Sequence, residues 1–163
     1  MNIVITGCSK GIGFELAKKL SLNHKVYGIS RDEKQLKLLK KEVSYKDNIK
    51  LLVGDVTKIT KIDIDNWVTC NGVDVLINNA GYLVNKPFTE INHSDFLKTM
   101  DVNMWGVINM TKLLLDQLNL KAGQIINIGS IGGVNYSSKY SGLSLYSSSK
   151  GALTILSECL AEE

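Results

Sequence analysis

The sequence predicts an α/β fold, a doubly wound parallel sheet with helices on both faces, as a single domain over residues 1–163. Three observations carry that prediction: short apolar runs without polar alternation, helical periodicity between them, and one glycine-rich loop directly behind the first run. The runs are "NIVIT" (2–6), "KVYGIS" (25–30), "IKLLV" (49–53), "VDVLIN" (73–78) and "QIINIG" (124–129). Rich in Val and Ile and lacking a polar face, they read as strands covered on both sides. Between them, "GFELAKKLSL" sets Phe14, Leu16, Ala17 and Leu20 on a helical period. "DEKQLKLLKKE" is a charged helix with a Leu36/Leu39 stripe, and "KIDIDNWVTC" (61–70) is a weaker helical pattern. Residues 93–119 form a long helix opened by the capping-box-like Asn92-His93-Ser94-Asp95, and the last helix runs from about Ser144 to the end. Strand and helix in alternation mean βαβ units. Five strands wound in this way take the order 3-2-1-4-5, with no candidate for a sixth.

Composition narrows the partners. Hydrophobic residues at 44% and charged residues at 21% suit a soluble globular chain. A net charge of +3 is too mild to argue for nucleic acid or an acidic membrane. The most basic stretch, Arg31 to Lys50, reads as a solvated helix face. Cys8, Cys70 and Cys159 are odd in number and far apart, without metal-ligand spacing. A reduced, cytoplasmic protein with no metal is the simplest expectation. No apolar run approaches the ~18 residues of a membrane span. His24 and His93 draw no role, and Cys8 fits a small-residue slot.

The loop "TGCSKGIG" (6–13) joins the first strand to the first helix. Glycines let backbone approach a ligand closely, and a helix N-terminus offers free N–H groups and a positive dipole end to an anion. Strand, glycine loop and helix in this order make a dinucleotide pyrophosphate site. The spacing is Gly-x-x-x-Gly-x-Gly, unlike the usual Gly-x-Gly-x-x-Gly. Together with "NNAG" at 78–81 and "YSSSK" at 146–150, it makes the whole chain resemble an ordinary, non-extended short-chain dehydrogenase/reductase, an NAD(P)-binding Rossmann-type domain.

The resemblance implies a cofactor site at Gly7, Ser9, Lys10, Gly11, Ile12 and Gly13, with Asn79, Ala80 and Gly81 lining the adenine-ribose side. Asp55 and Val56, in "VGDVT", match positions near the adenine ring. At the tip of the second strand an NAD enzyme would place an acid for the ribose 2′-hydroxyl. Here the residues are Ser30 and Arg31. An acid would repel a 2′-phosphate, whereas arginine grips it in a charge-assisted fork. With Lys10 as a second cation, NADP(H) is expected over NAD(H).

Tyr146 and Lys150, at i and i+4, share one helix face. An unperturbed tyrosine titrates near ~10, too high for proton transfer at neutral pH. An ammonium ~5 Å away at an effective dielectric of ~20 favours phenolate by about 3 kcal/mol, or roughly two pKa units. The resemblance makes Tyr146 the proton donor and Lys150 its partner and the holder of the nicotinamide ribose. It makes Ser130 the group that orients the substrate carbonyl, and Asn103 the anchor of a proton-relaying water. Tyr136 and Tyr140 are candidate pocket walls. The family usually forms dimers or tetramers through its two long helices, and the last helix is apolar around much of its surface. Compared with the family, the chain reads as C-terminally truncated, lacking a further strand, a substrate lid and a final strand. The expected function is reduction of a carbonyl, or oxidation of an alcohol, on a small-molecule substrate. A non-catalytic NADP(H)-binding module and an inactive fragment are the alternatives.

Overall fold

The computed structural model describes residues 1–69 and 71–163. Five strands, β1 (Asn2–Thr6), β2 (Lys25–Ser30), β3 (Ile49–Val53), β4 (Val75–Asn78) and β5 (Gln124–Asn127), form one parallel sheet. Its order is β3-β2-β1-β4-β5, as predicted. β4 and β5 are shorter than the apolar runs that announced them. The ladder runs one residue beyond β5, with Ile128 N donating to Asn78 O at 2.9 Å, before the chain turns away.

Side chains of successive strand residues point to opposite faces, and the core divides accordingly. Ile3, Ile5, Val26 and Ile77 face one side, against Phe14, Ala17, Leu36 and Leu39 of α1 (Gly11–Leu20) and α2 (Glu33–Glu42). Val4, Ile29 and Leu76 face the other, against Ile64 and Trp67 of α3 (Lys61–Trp67) and Met110, Leu114 and Leu118 of α5 (Gly106–Asn119). Coverage on both sides explains the missing polar alternation in β1, β2 and β4. At the sheet's margins it fails: Val53 of β3 and Ile126 of β5 are exposed. Of the stretch 61–70, the helix occupies only the first seven residues, and Cys70 lies outside the described residues.

Asn92 caps α4 (His93–Met100) as its sequence announced: Asn92 Oδ1 accepts from Asp95 N at 3.0 Å, and Asp95 Oδ2 accepts from Asn92 N at 3.2 Å. The helix predicted over 93–119 is continuous in backbone conformation but not uniform. Asp101–Trp105 form a π-helical turn between α4 and α5, in which Gly106 N reaches back to Asp101 O. Such a turn inserts one residue and occurs chiefly at functional sites. Asn103 sits at its centre. The last helix, α6 (Ser144–Glu162), packs against α4 and the π turn. No helix among the described residues is long and apolar enough to cross a membrane.

Candidate functional site

The site lies at the C-terminal ends of β1 and β4, where the strand order reverses and open α/β sheets bind ligands. The glycine loop is built against the end of β4. Thr6 Oγ1 accepts from the backbone N–H groups of Asn79 (3.0 Å) and Ala80 (2.9 Å), while Asn79 Nδ2 donates to Thr6 O and Gly7 O, both at 3.0 Å. Gly13 lies buried beneath this junction. A Cβ there would overlap both Gly7 O and Asn79 Nδ2. Its role is therefore close approach, and it does not line the cleft above. Lys10 is the N-cap of α1, but no side chain caps that helix and its first turn holds no acid. The first-turn amides thus have no side-chain acceptor, an arrangement suited to a pyrophosphate. Cys8 occupies the small-residue slot, its Sγ against Gly28. Burial pushes its thiol pKa up to about 12, which keeps it from acting as a thiolate.

The neighbouring wall comes from the tips of β2 and β3. Asn109 of α5 donates to Val56 O (2.9 Å) and Ile59 O (3.2 Å), and Trp105 Nε1 donates to Thr57 O (3.2 Å). These bonds hold the turn that carries Asp55. Burial raises the Asp55 pKa, but the Thr57 amide and hydroxyl, then Arg31 and Lys58, outweigh it, and the carboxyl ends below its ordinary value. Arg31 Nη1 stands 3.7 Å from Asp55 Oδ2 with its side chain 58% exposed. So loose and wet a pair is worth under about 1 kcal/mol, and the guanidinium is free to turn to a better anion.

At the other end of the cleft, α6 presents Tyr146 and Lys150. Lys150 is only 3% exposed. Its Nζ donates to Ile128 O at 2.6 Å and lies 6.0 Å from the Tyr146 ring centre. Burial pushes its pKa below the ordinary lysine value. Ser130 follows β5 and caps a short 3₁₀ turn, Ile131–Gly133, accepting from Gly132 N at 3.3 Å. That turn lies directly on the α6 backbone. A Cβ on Gly133 would stand 2.6 Å from Lys150 C and 2.7 Å from Gly151 N. Glycine here allows Ser130 to be carried up to the helix bearing Tyr146 and Lys150.

Asn103 stands inside the π turn. A mid-helix asparagine would ordinarily face solvent; this one is wholly buried. Its Oδ1 accepts from Tyr82 N (2.8 Å), and its Nδ2 donates to Tyr82 O (3.0 Å) and to Ser149 Oγ (2.8 Å). Both amide protons are thereby engaged, so its side chain has none to give to a relay water.

Together these segments enclose a cleft of about 740 Å³. Of the residues that the sequence singles out, Gly7, Ser9, Lys10, Gly11, Ile12, Ser30, Arg31, Asp55, Val56, Asn79, Ala80, Gly81, Tyr146 and Lys150 line it. Gly13, Asn103 and Ser130 do not, although each supports or adjoins it. Ile29, Gly54, Tyr82, Leu83, Val102, Ile128 and Gly129 line it unannounced: six lie in loops or at strand ends, which carry no periodic signal, and Val102 lies in the π turn. Tyr136 and Tyr140 are both exposed, and neither lines this cleft. Ser137 Oγ and Lys139 Nζ both close that loop on Val134 O, which leaves the tyrosines outside.

The short chain dehydrogenase family matches residues 1–163, the whole length. The chain belongs to that family. An NADPH-dependent pterin aldehyde reductase of Arabidopsis thaliana is 35% identical over 170 aligned residues, 99% of this chain and 68% of that protein. A 3-ketodihydrosphingosine reductase of Bacteroides thetaiotaomicron is 37% identical over 166, 99% of this chain and 57% of that protein. Among solved structures, the closed form of a serine dehydrogenase complexed with NADP+ superposes with a TM-score of 0.82 at 30% identity. That match covers 98% of this chain and 65% of the other. The chain thus spans little more than half to about two thirds of these proteins' lengths.

Two outcomes follow from this member's geometry. Gly13→Ala forces the loop off Asn79 and is expected to weaken NADPH binding by about tenfold or more, read by fluorescence titration, with a melting loss of about 1–3 kcal/mol. The second concerns Lys150. Its folded pKa is depressed, so between that value and the ordinary lysine value of 10.5 the unfolded chain binds more protons. Stability therefore rises with pH across that window. Below it the full cost of burying the charge falls on the folded state. Lys150→Met is expected to melt at or above the wild-type temperature at pH 7, with the wild type gaining on it as pH climbs.

Proposed function

We propose that the chain carries an NADP(H)-dependent oxidoreductase site that interconverts a carbonyl and an alcohol. The observation that carries this reading is that Tyr146 and Lys150 line the same cleft as the glycine loop, with Ser130 one residue beyond its wall at Gly129. The cleft fits a dinucleotide: a loop with uncapped helix amides and Lys10 at one end, Arg31 at the β2 tip, and Lys150 at the other end. The nicotinamide cofactor supplies the hydride. Gly7, Ser9, Lys10, Gly11 and Ile12 would hold the pyrophosphate, with Gly13 beneath them, Asp55 and Val56 would border the adenine, and Lys150 would hold the nicotinamide ribose. Tyr146 gives its proton to the carbonyl oxygen, helped by the neighbouring ammonium. Ser130 orients that oxygen and stabilises the charge developing on it. Asn103 acts by support, fixing the Tyr82 segment and α6 from inside.

Preference for NADP(H) rests on Arg31 and Lys10 beside a strand tip without an acid. It is supported by the NADP+ complex of the structural neighbour and the NADPH dependence of the Arabidopsis relative. A carbonyl substrate agrees with the names of both reductases. Self-association through α4–α5 and α6 is part of the same reading, supported by exposed Phe96, Leu97, Trp105, Leu115 and Ile155. So is a cytoplasmic location, supported by free Cys8 and Cys159.

The test is a pair of titrations with turnover on an aldehyde panel. NADPH is expected to bind about tenfold or more tightly than NADH, and Arg31→Ala to remove most of that difference. Tyr146→Phe is expected to keep NADPH affinity and lose turnover by about a hundredfold or more. Tighter NADH binding would overturn the cofactor preference. Tight NADPH binding without turnover would favour a binding module instead.

A further inference from the structure

The proton inventory around Asn103 fixes more than Asn103 itself. Tyr82 offers it one N–H and one C=O, at 2.8 and 3.0 Å. Only one amide orientation satisfies both, because a flipped amide would set oxygen against oxygen and N–H against N–H. The second Nδ2 proton must then point at Ser149 Oγ, 2.8 Å away. The Ser149 hydroxyl accepts it, and its own single proton goes to Tyr146 O at 2.7 Å. Ser149 is itself fully buried. A directed chain of hydrogen bonds therefore runs from the Tyr82 backbone through Asn103 and Ser149 to the backbone of Tyr146.

That chain ends in the first turn of α6, whose N-cap residue, Leu143, offers no side-chain cap. The local bonds there, Ser147 N to Leu143 O and Ser148 Oγ to Ser144 O, stay within the helix and do not tie it to the rest of the fold. The residue at the other end, Tyr82, lines the cleft beside Gly81. We propose that Ser149 is a positioning residue: its hydroxyl ties the first turn of α6 to the π turn and the Tyr82 segment, and so sets where the Tyr146 phenol stands over the cleft. This rests on the proposed role of Tyr146, but the linkage can be tested without it. Ser149 was hidden in "YSSSK", where only the first and last residues draw attention.

Ser149→Ala removes the link with little change of shape, and Ser149→Thr keeps the hydroxyl. In hydrogen exchange on the unliganded chain, the alanine variant should lose protection in residues 81–84 and in the first turn of α6 together, and the threonine variant should keep both. Loss confined to α6, or none, would overturn the linkage. With NADPH and 4-nitrobenzaldehyde as probe, the alanine variant should lose kcat by about tenfold or more, as small misplacements of reacting groups do. Its KM for NADPH should stay within about threefold, and threonine should restore kcat. An unchanged kcat per folded molecule would reduce Ser149 to a structural role. Absence of turnover in the wild type would count against the proposed function, leaving the exchange result to decide the linkage.

Discussion

A lysine ammonium held out of water is the constraint on which the rest of this site depends. Lys150 has a carbonyl, Ile128 O, as its hydrogen-bond acceptor, and no carboxylate pairs with it among the described residues. Such a group favours the folded state only weakly, if at all, so its position must be enforced by the surroundings. The end of β5 supplies the carbonyl. Gly133 lets the 3₁₀ turn lie against the lysine's own backbone. The π turn places Asn103 where it can brace Ser149, one residue earlier. Three separate stretches of chain are thus organised around a buried ammonium whose charged form the burial disfavours.

The opposite end of the cleft uses cheaper physics. Backbone amides at an uncapped helix start and exposed cations at a strand tip cost little to keep in water. Specific geometry is needed where Gly13 packs on Gly7 O and the Asn79 side chain, and where Gly7 meets the Ala80 backbone. The Arg31–Asp55 pair is loose, and it leaves the guanidinium free to take a stronger partner.

Much of this was legible in the sequence. β1, β2 and β4 were read from apolar runs because burial on both faces removes alternation. The strand order followed from helices between strands, and Asn92 announced α4 through its capping box. Tyr146 and Lys150 drew attention through their spacing along one helix, and the glycine loop through its place between β1 and α1. Other features could not be read that way. The π turn has no propensity signal, since Asp101–Trp105 is ordinary helical sequence; what marks it is the tertiary bonding of Asn103 to Tyr82. Tyr82, Leu83 and Ser149 owe their places to tertiary contacts. Nor could the closure of the loop that carries Tyr136 and Tyr140 on Val134 O be read from their nearness in sequence to Tyr146.

The state of Lys150 tests this account most directly. In a chain labelled with carbon-13 lysine, its side-chain signal can be assigned by its absence from Lys150→Met and followed from about pH 6 to about pH 11. A midpoint below those of the exposed lysines is the predicted result. A midpoint at or above them would mean that Lys150 is solvated or paired with an acid, and the site would not be the desolvated one described.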